Sequence, residues 1–217
     1  MWRGSLINKP FLKICGIRRI KDLESVVSVG ADAIGFIAFP KSPRYISPDK
    51  VAELLSAVKT NGILKVGVFV NASKKDIQSY IDAGIDTIQL HGDEDEEFSL
   101  SLNKPVWRAL RLKSKSEIDR YKDFPCKKFL VDSYVKGVEV PGGTGHVGDW
   151  SLAKNFIERV SKDVLLAGGL KATNLQDAYN QVKPFGFDLS SGVEDSPGIK
   201  SSDKIQNLAK ALKSISG

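Results

Sequence analysis

Apolar residues in this chain gather in short runs, and each run is followed by a stretch in which apolar positions recur every three or four residues. The runs Phe11 to Cys15, Leu64 to Val70, Val106 to Leu110, Lys128 to Val131 and Val164 to Ala167 read as strands buried on both faces, because a half-exposed strand would alternate apolar with polar. Between them, Pro48 to Lys59, Lys74 to Asp82, Ser114 to Tyr121, Ala172 to Val182 and Asp203 to Ile215 carry the helical period. The first of these opens well: the Ser47 hydroxyl can accept from a free N–H, and Pro48 at the first helical position sacrifices no hydrogen bond.

Three further segments share one local order. Val29-Gly30-Ala31-Asp32-Ala33-Ile34-Gly35-Phe36, Ala83-Gly84-Ile85-Asp86-Thr87-Ile88-Gln89-Leu90 and Phe185-Gly186-Phe187-Asp188-Leu189-Ser190 each read as a helix end, a glycine in the left-handed cap, an aspartate and a short strand. Gly30 and Gly84 are 54 residues apart, and Gly84 and Gly186 are 102 apart. A unit of roughly 27 residues makes these two and four units, and eight such units fill the chain.

Strands alternating with helices imply parallel pairing through right-handed crossovers. Eight units predict closure, giving an α/β fold of the single-domain (β/α)8 TIM-barrel class, although an open doubly wound sheet shows the same alternation. No linker or low-complexity stretch interrupts residues 1–217, which are expected to form one barrel domain.

Composition narrows the setting. At 41% hydrophobic and 27% charged, the chain has what a globular core needs. No apolar run approaches the ~18 residues that cross a bilayer, and Met1 to Lys9 lacks the apolar centre of a secretory signal. Two cysteines, Cys15 and Cys126, do not make a disulfide framework and suit a reducing cytoplasm. Lys plus Arg is 32 against 26 for Asp plus Glu, a formal net charge of +6, but the basic residues are scattered among acids with no block interleaved with aromatics. The excess suits a small anionic substrate; no nucleic-acid or membrane partner is expected.

In a barrel of this kind the chemistry sits where strands end. The seventh strand is followed by Gly168-Gly169, the eighth by Ser190-Ser191-Gly192, and the sixth by a loop holding Gly142-Gly143-Thr144-Gly145. Each cluster alone reads as a turn; together they offer backbone N–H groups and hydroxyls to a phosphate. Cys15, at the end of the first strand, is either a small buried apolar residue or a reactive thiol. Asp132, after Phe129-Leu130-Val131, is either a loop cap or a carboxylate held for use. Arg44 lies in the proline-stiffened loop Pro40-Lys41-Ser42-Pro43-Arg44-Tyr45, where position alone suggests a solvated charge. Arg108, inside a strand, demands a buried partner or a wet barrel mouth. Asp188 reads as a residue that orients a neighbouring loop. Asp93 to Glu97 is an acidic run opening a helix, where the macrodipole favours it. No HExxH pattern, paired histidines or acidic cluster has metal spacing, so no metal is expected.

Taken in order, Lys13-Ile14-Cys15-Gly16, Gly30 to Phe36, Lys41 to Pro48, Val66 to Asn71, Gln89-Leu90-His91-Gly92, Leu130-Val131-Asp132, Gly142 to Gly145, Ala167 to Leu170 and Asp188 to Glu194 resemble the phosphoribosylanthranilate isomerases of tryptophan biosynthesis. The resemblance runs from about Lys13 to Lys200. It implies a cofactor-independent Amadori rearrangement of N-(5-phosphoribosyl)anthranilate to the aminoketose, with Cys15 as general base and Asp132 as general acid. Arg44 would hold the anthranilate carboxylate, and His91, Arg108 and Asp188 complete the expected substrate-binding set. Gly143, Thr144, Gly145, Gly168, Gly169, Ser190, Ser191 and Gly192 would hold the phosphate. A monomer or homodimer is expected. Two positions depart from the family pattern: Gly148 where an aromatic usually precedes Asp149-Trp150, and His146 where a lysine is common.

The nearest rivals are other phosphosugar barrels. A related histidine-pathway isomerase would want an aspartate in place of Cys15, and a metal-dependent epimerase would need histidines at the second and third strand ends. A dual-substrate isomerase has no excluding signal in the sequence. A non-enzymatic basic binding barrel would account for the charge but not for Cys15, Asp132 and the glycine loops.

Overall fold

The computed structural model describes residues 9–132 and 150–215. Its elements are β1 (Phe11–Cys15), α1 (Ile20–Ser28), β2 (Ala33–Ile37), α2 (Pro48–Ala57), β3 (Leu64–Phe69), α3 (Lys74–Asp82), β4 (Thr87–Leu90), α4 (Glu96–Leu100), β5 (Val106–Leu110), α5 (Lys115–Tyr121), β6 (Lys128–Asp132), α6 (Trp150–Ile157), β7 (Asp163–Ala167), α7 (Leu175–Val182) and β8 (Gly186–Leu189). A hairpin of β9 (Glu194–Ser196) and β10 (Ile199–Lys200) then leads into α8 (Ser202–Ile215).

Strands β1 to β8 pair in parallel in chain order, and β8 returns to β1, so the sheet is a closed eight-stranded barrel wrapped by helices. The closed form, not the open doubly wound sheet, is the one present. Its strands are apolar on both faces because both faces are covered. Outward positions such as Leu12, Ile14, Phe36, Phe129 and Phe187 pack against the helices, while Ala33, Val66, Trp107, Ala109, Leu130, Leu165 and Ala167 fill the inside. Along β1 the strand period of two makes Phe11, Lys13 and Cys15 successive inward positions. The bottom is thus closed by aromatics, Phe11 standing edge-on to Trp107 at 6.1 Å, and polar groups begin one layer higher. Among the described residues no helix is long and apolar enough to cross a membrane.

The repeated Gly-x-Asp order has two meanings. Gly30 and Gly84 take positive φ, at 68° and 108°, as helix-ending caps. Asp32 and Asp86 then accept from strand-entry N–H groups, Leu12 at 2.8 Å and Lys65 at 3.0 Å. The third segment departs from this expectation. Lys183, at φ 51°, is the left-handed cap of α7, and Gly186 is already inside β8. Glycine is needed there for closeness: a β-carbon would stand 2.2 Å from the Phe11 carbonyl oxygen across the closing seam. Asp188 is correspondingly a barrel residue and not a strand-entry cap.

Candidate active site

A cavity of about 450 Å³ opens at the carboxyl ends of the strands, and its wall contains Cys15, Arg44, His91, Asp132, Gly168–Gly169 and Ser190–Gly192. Barrel closure makes neighbours of strands one and eight, and so brings the first of these groups beside the last.

Cys15 is buried against β2. Its register partner is Gly35, where a β-carbon would lie 2.6 Å from Cys15 Sγ, so β2 must be bare at that point. Burial pushes the thiol above its ordinary pKa, against the opposing pull of Lys13 and Lys200. Desolvation outweighs both cations. Lys13, two residues earlier on the same strand, is fully buried and donates to both Asp188 oxygens, at 2.9 and 3.0 Å. Burial disfavours its charge, but the neighbouring Asp188 and Cys15 more than restore it, so Lys13 is an ammonium. Among the described residues, Asp188 answers a cation on β1.

Asp132 closes β6 at the cavity wall. Burial raises its pKa, with Asp188 adding to the rise and Arg111, whose Nε is 3.5 Å away, opposing it. His91 is held neutral: burial, then the cations Arg111, Lys13 and Arg108, push its pKa down to about 3. Among the described residues, His91 Nε2 and Gln89 Oε1 are buried without a hydrogen-bond partner. Such atoms are costly unless something polar meets them.

Arg44 is not the solvated loop charge its position suggested. Its Nε and Nη2 donate to the two oxygens of buried Glu194, at 2.9 and 2.7 Å. Arg108, part of the cavity wall, finds the buried partner it required. It lies between the inward residues Trp107 and Ala109, and its guanidinium donates to Glu94 at 2.8 Å and to the Gly92 carbonyl at 2.9 Å, over the rings of Tyr121 and Phe124. The acidic run is accordingly split. Asp95 caps α4 as the macrodipole argument expects, but Glu94 turns inward, accepting also from the N–H groups of Asn71 and Gly92 at 2.7 and 2.9 Å.

The two phosphate-loop candidates within the described residues lie together. Gly168 and Gly169 take positive φ, and a β-carbon at Gly192 would strike the Leu170 carbonyl oxygen at 1.8 Å, so the loops after β7 and β8 touch. Gly143, Thr144, Gly145, His146 and Gly148 lie outside the described residues. Lys13, Arg111, Glu194 and Lys200 escaped the sequence reading as functional candidates. Only Lys13 left a signal, a lysine in an otherwise apolar strand; the others act through contacts across the fold.

The chain matches the family model described as N-(5'phosphoribosyl)anthranilate (PRA) isomerase over residues 12–211. It is 40% identical over 206 residues to the N-(5'-phosphoribosyl)anthranilate isomerase of Pseudomonas paraeruginosa, covering 94% of this chain and 95% of that one. The crystal structure of monomers made from the dimeric Thermotoga maritima phosphoribosylanthranilate isomerase aligns with TM-score 0.79 at 33% identity, covering 94% and 98% of the two chains. A phosphoribosyl anthranilate isomerase in complex with reduced 1-(o-carboxyphenylamino)-1-deoxyribulose 5-phosphate aligns with TM-score 0.81 at 32% identity, covering 94% and 99%.

Proposed function

The chain belongs to the N-(5'-phosphoribosyl)anthranilate isomerase family, and from that premise we propose that Cys15 and Asp132 are the base and acid of its reaction. The activity is the isomerisation of N-(5-phosphoribosyl)anthranilate to 1-(2-carboxyphenylamino)-1-deoxyribulose 5-phosphate, a step of tryptophan biosynthesis. The observation that carries the assignment is that Cys15 and Asp132 line the same cavity as the glycine and serine loops.

In the competent form Asp132 carries a proton, which burial favours, and gives it to the furanose oxygen as the C1–O bond breaks. The anilino nitrogen supplies the electron pair, leaving an iminium at C1. The Cys15 thiolate then removes the C2 proton, and the electrons flow to nitrogen to give the enolamine. The enol hydroxyl loses its proton as C1 gains one, giving the ketone. A buried thiol with a raised pKa is a strong base once ionised, and the cationic iminium favours its ionised form when the proton must move. Acid and base contribute ~10²–10⁴-fold each, and clamps on carboxylate and phosphate fix the geometry. The phosphate sits on the N–H groups and hydroxyls of Gly168, Gly169, Ser190, Ser191 and Gly192, and Arg44 meets the anthranilate carboxylate.

We place the protein in the cytoplasm, which two free thiols suit, as one barrel domain working as a monomer or homodimer. The test is steady-state turnover of phosphoribosylanthranilate generated in situ, followed by loss of its fluorescence, in wild type, Cys15→Ser and Asp132→Asn. Turnover should fall ~10²-fold or more in both variants while the reduced ketose analogue still binds. Turnover indifferent to Cys15 would move the base elsewhere.

A further inference from the structure

Beside the cavity, the β9–β10 hairpin buries three charges in one cluster: Arg44, Glu194 and Lys200. Glu194 holds both cations, accepting from Arg44 through each oxygen and from Lys200 Nζ at 2.8 Å. Lys200 Nζ also reaches the Ser190 carbonyl at 3.1 Å and the Ser190 hydroxyl at 3.3 Å. One ammonium therefore ties the arginine's carboxylate partner to the first residue of the loop after β8. Between them stands Gly16, next to Cys15, where a β-carbon would meet Arg44 Cδ at 2.9 Å and Ser190 Oγ at 3.2 Å.

The hairpin is itself held down. Arg19 Nη2 donates to the Lys200 carbonyl at 3.1 Å, and Lys204 Nζ to the Glu194 carbonyl at 2.6 Å, pinning it to the start of α1 and to α8. The cluster joins two basic side chains to one carboxylate, and burial lowers the Lys200 pKa against the opposing pull of Glu194, so one basic group is unmatched within it. A buried charge in excess is costly unless an anion completes it. Among the described residues, the neighbouring pairs Lys13–Asp188 and Arg111–Asp132 each join one cation to one carboxylate and bring no further anion to the cluster.

Building on the isomerase reading, we propose that Glu194 and Lys200 are positioning residues that act as one unit, aligning Arg44 for the substrate's carboxylate and Ser190 for its phosphate. The bidentate carboxylate fixes the plane of the guanidinium, and the ammonium fixes the hydroxyl rotor and carbonyl of Ser190. Both anionic ends of the substrate are thereby held at a set distance on either side of Cys15. Neither residue touches the reacting atoms.

The experiment measures kcat and KM for phosphoribosylanthranilate, and Kd for the reduced ketose analogue, in wild type, Lys200→Met, Glu194→Gln and the double variant, each checked for folding by thermal melt. Lys200→Met should raise KM and the analogue Kd together by about 10- to 100-fold, the worth of charge-assisted hydrogen bonds to a charged ligand's clamp, with kcat within about threefold. Glu194→Gln should do the same, and the double variant should be no worse than the worse single, as expected of one unit. Glu194→Gln leaves two buried cations together and is the variant at risk of misfolding; Lys200→Met keeps the Arg44–Glu194 pair and decides the matter alone. A folded Lys200→Met with unchanged KM and Kd, a loss confined to kcat, or effects that multiply in the double variant would each overturn the proposal. Wild type that binds the analogue but does not turn over the substrate would sink the isomerase reading instead, and the Kd comparison would still judge the unit.

Discussion

Lys13 and Asp188 are register partners across the seam where β8 meets β1, and the lysine donates to both carboxylate oxygens inside the barrel. A charge pair so placed is costly to form and more costly to break, because removing one member strands the other away from water. Lys13→Met or Asp188→Asn should therefore lower unfolding stability by about 3–5 kcal/mol, read by denaturant titration. The double variant Lys13→Met/Asp188→Leu, which strands nothing, should recover most of the loss. Equal losses in the double and single variants would show that the pair is not what the seam depends on.

The pH profile should identify Asp132. Its pKa and that of Cys15 are both raised by burial, and the thiol's ordinary value lies above the carboxyl's. The competent enzyme has the acid protonated and the thiol ionised, the reverse of the majority form. Its fraction rises with pH up to the Asp132 pKa, stays level, and falls above the Cys15 pKa. Arg111 pulls Asp132 down, so Arg111→Met should move the acid limb of kcat/KM to higher pH. An unmoved limb would mean that another group titrates there.

His91 should be an acid-sensitive weak point. Its folded pKa is about 3 against an ordinary value of 6.5, so the folded state prefers the neutral ring and the unfolded state takes the proton first. The neutral-ring stability is full above about 6.5 and is lost progressively as pH falls toward about 3. Unfolding free energy measured across this window should slope less in His91→Gln than in wild type. Parallel slopes would mean that His91 carries its charge in the folded protein.

Gly35→Ala tests the closeness of β2 to the thiol. The added methyl meets Cys15 Sγ at 2.6 Å and backbone behind it, so the sulfur must shift. Stability should fall by about 1–3 kcal/mol, the usual cost of overpacking, and kcat should fall more than KM rises. Wild-type turnover in this variant would show that the thiol's placement is not critical.

The sequence by itself determined the layers, most of the strands and five of the helices, because burial on both faces writes itself as unbroken apolar runs and helical packing as a 3.6-residue period. It also brought Cys15, Asp132 and the serine and glycine loops forward, since strand ends in such a barrel all point to one mouth. What it could not contain was pairing between distant residues. Arg44 with Glu194, Arg108 with Glu94, Lys13 with Asp188 and Lys200 with Ser190 are contacts made by strand pairing, by barrel closure and by a hairpin beside the cavity. Gly186 shows the same limit: its spacing matched a cap, but its reason is a carbonyl on β1. A residue's type records what it can bond; only the closed barrel decides with whom, because charge and hydrogen-bond energies depend on distances that chain order does not set.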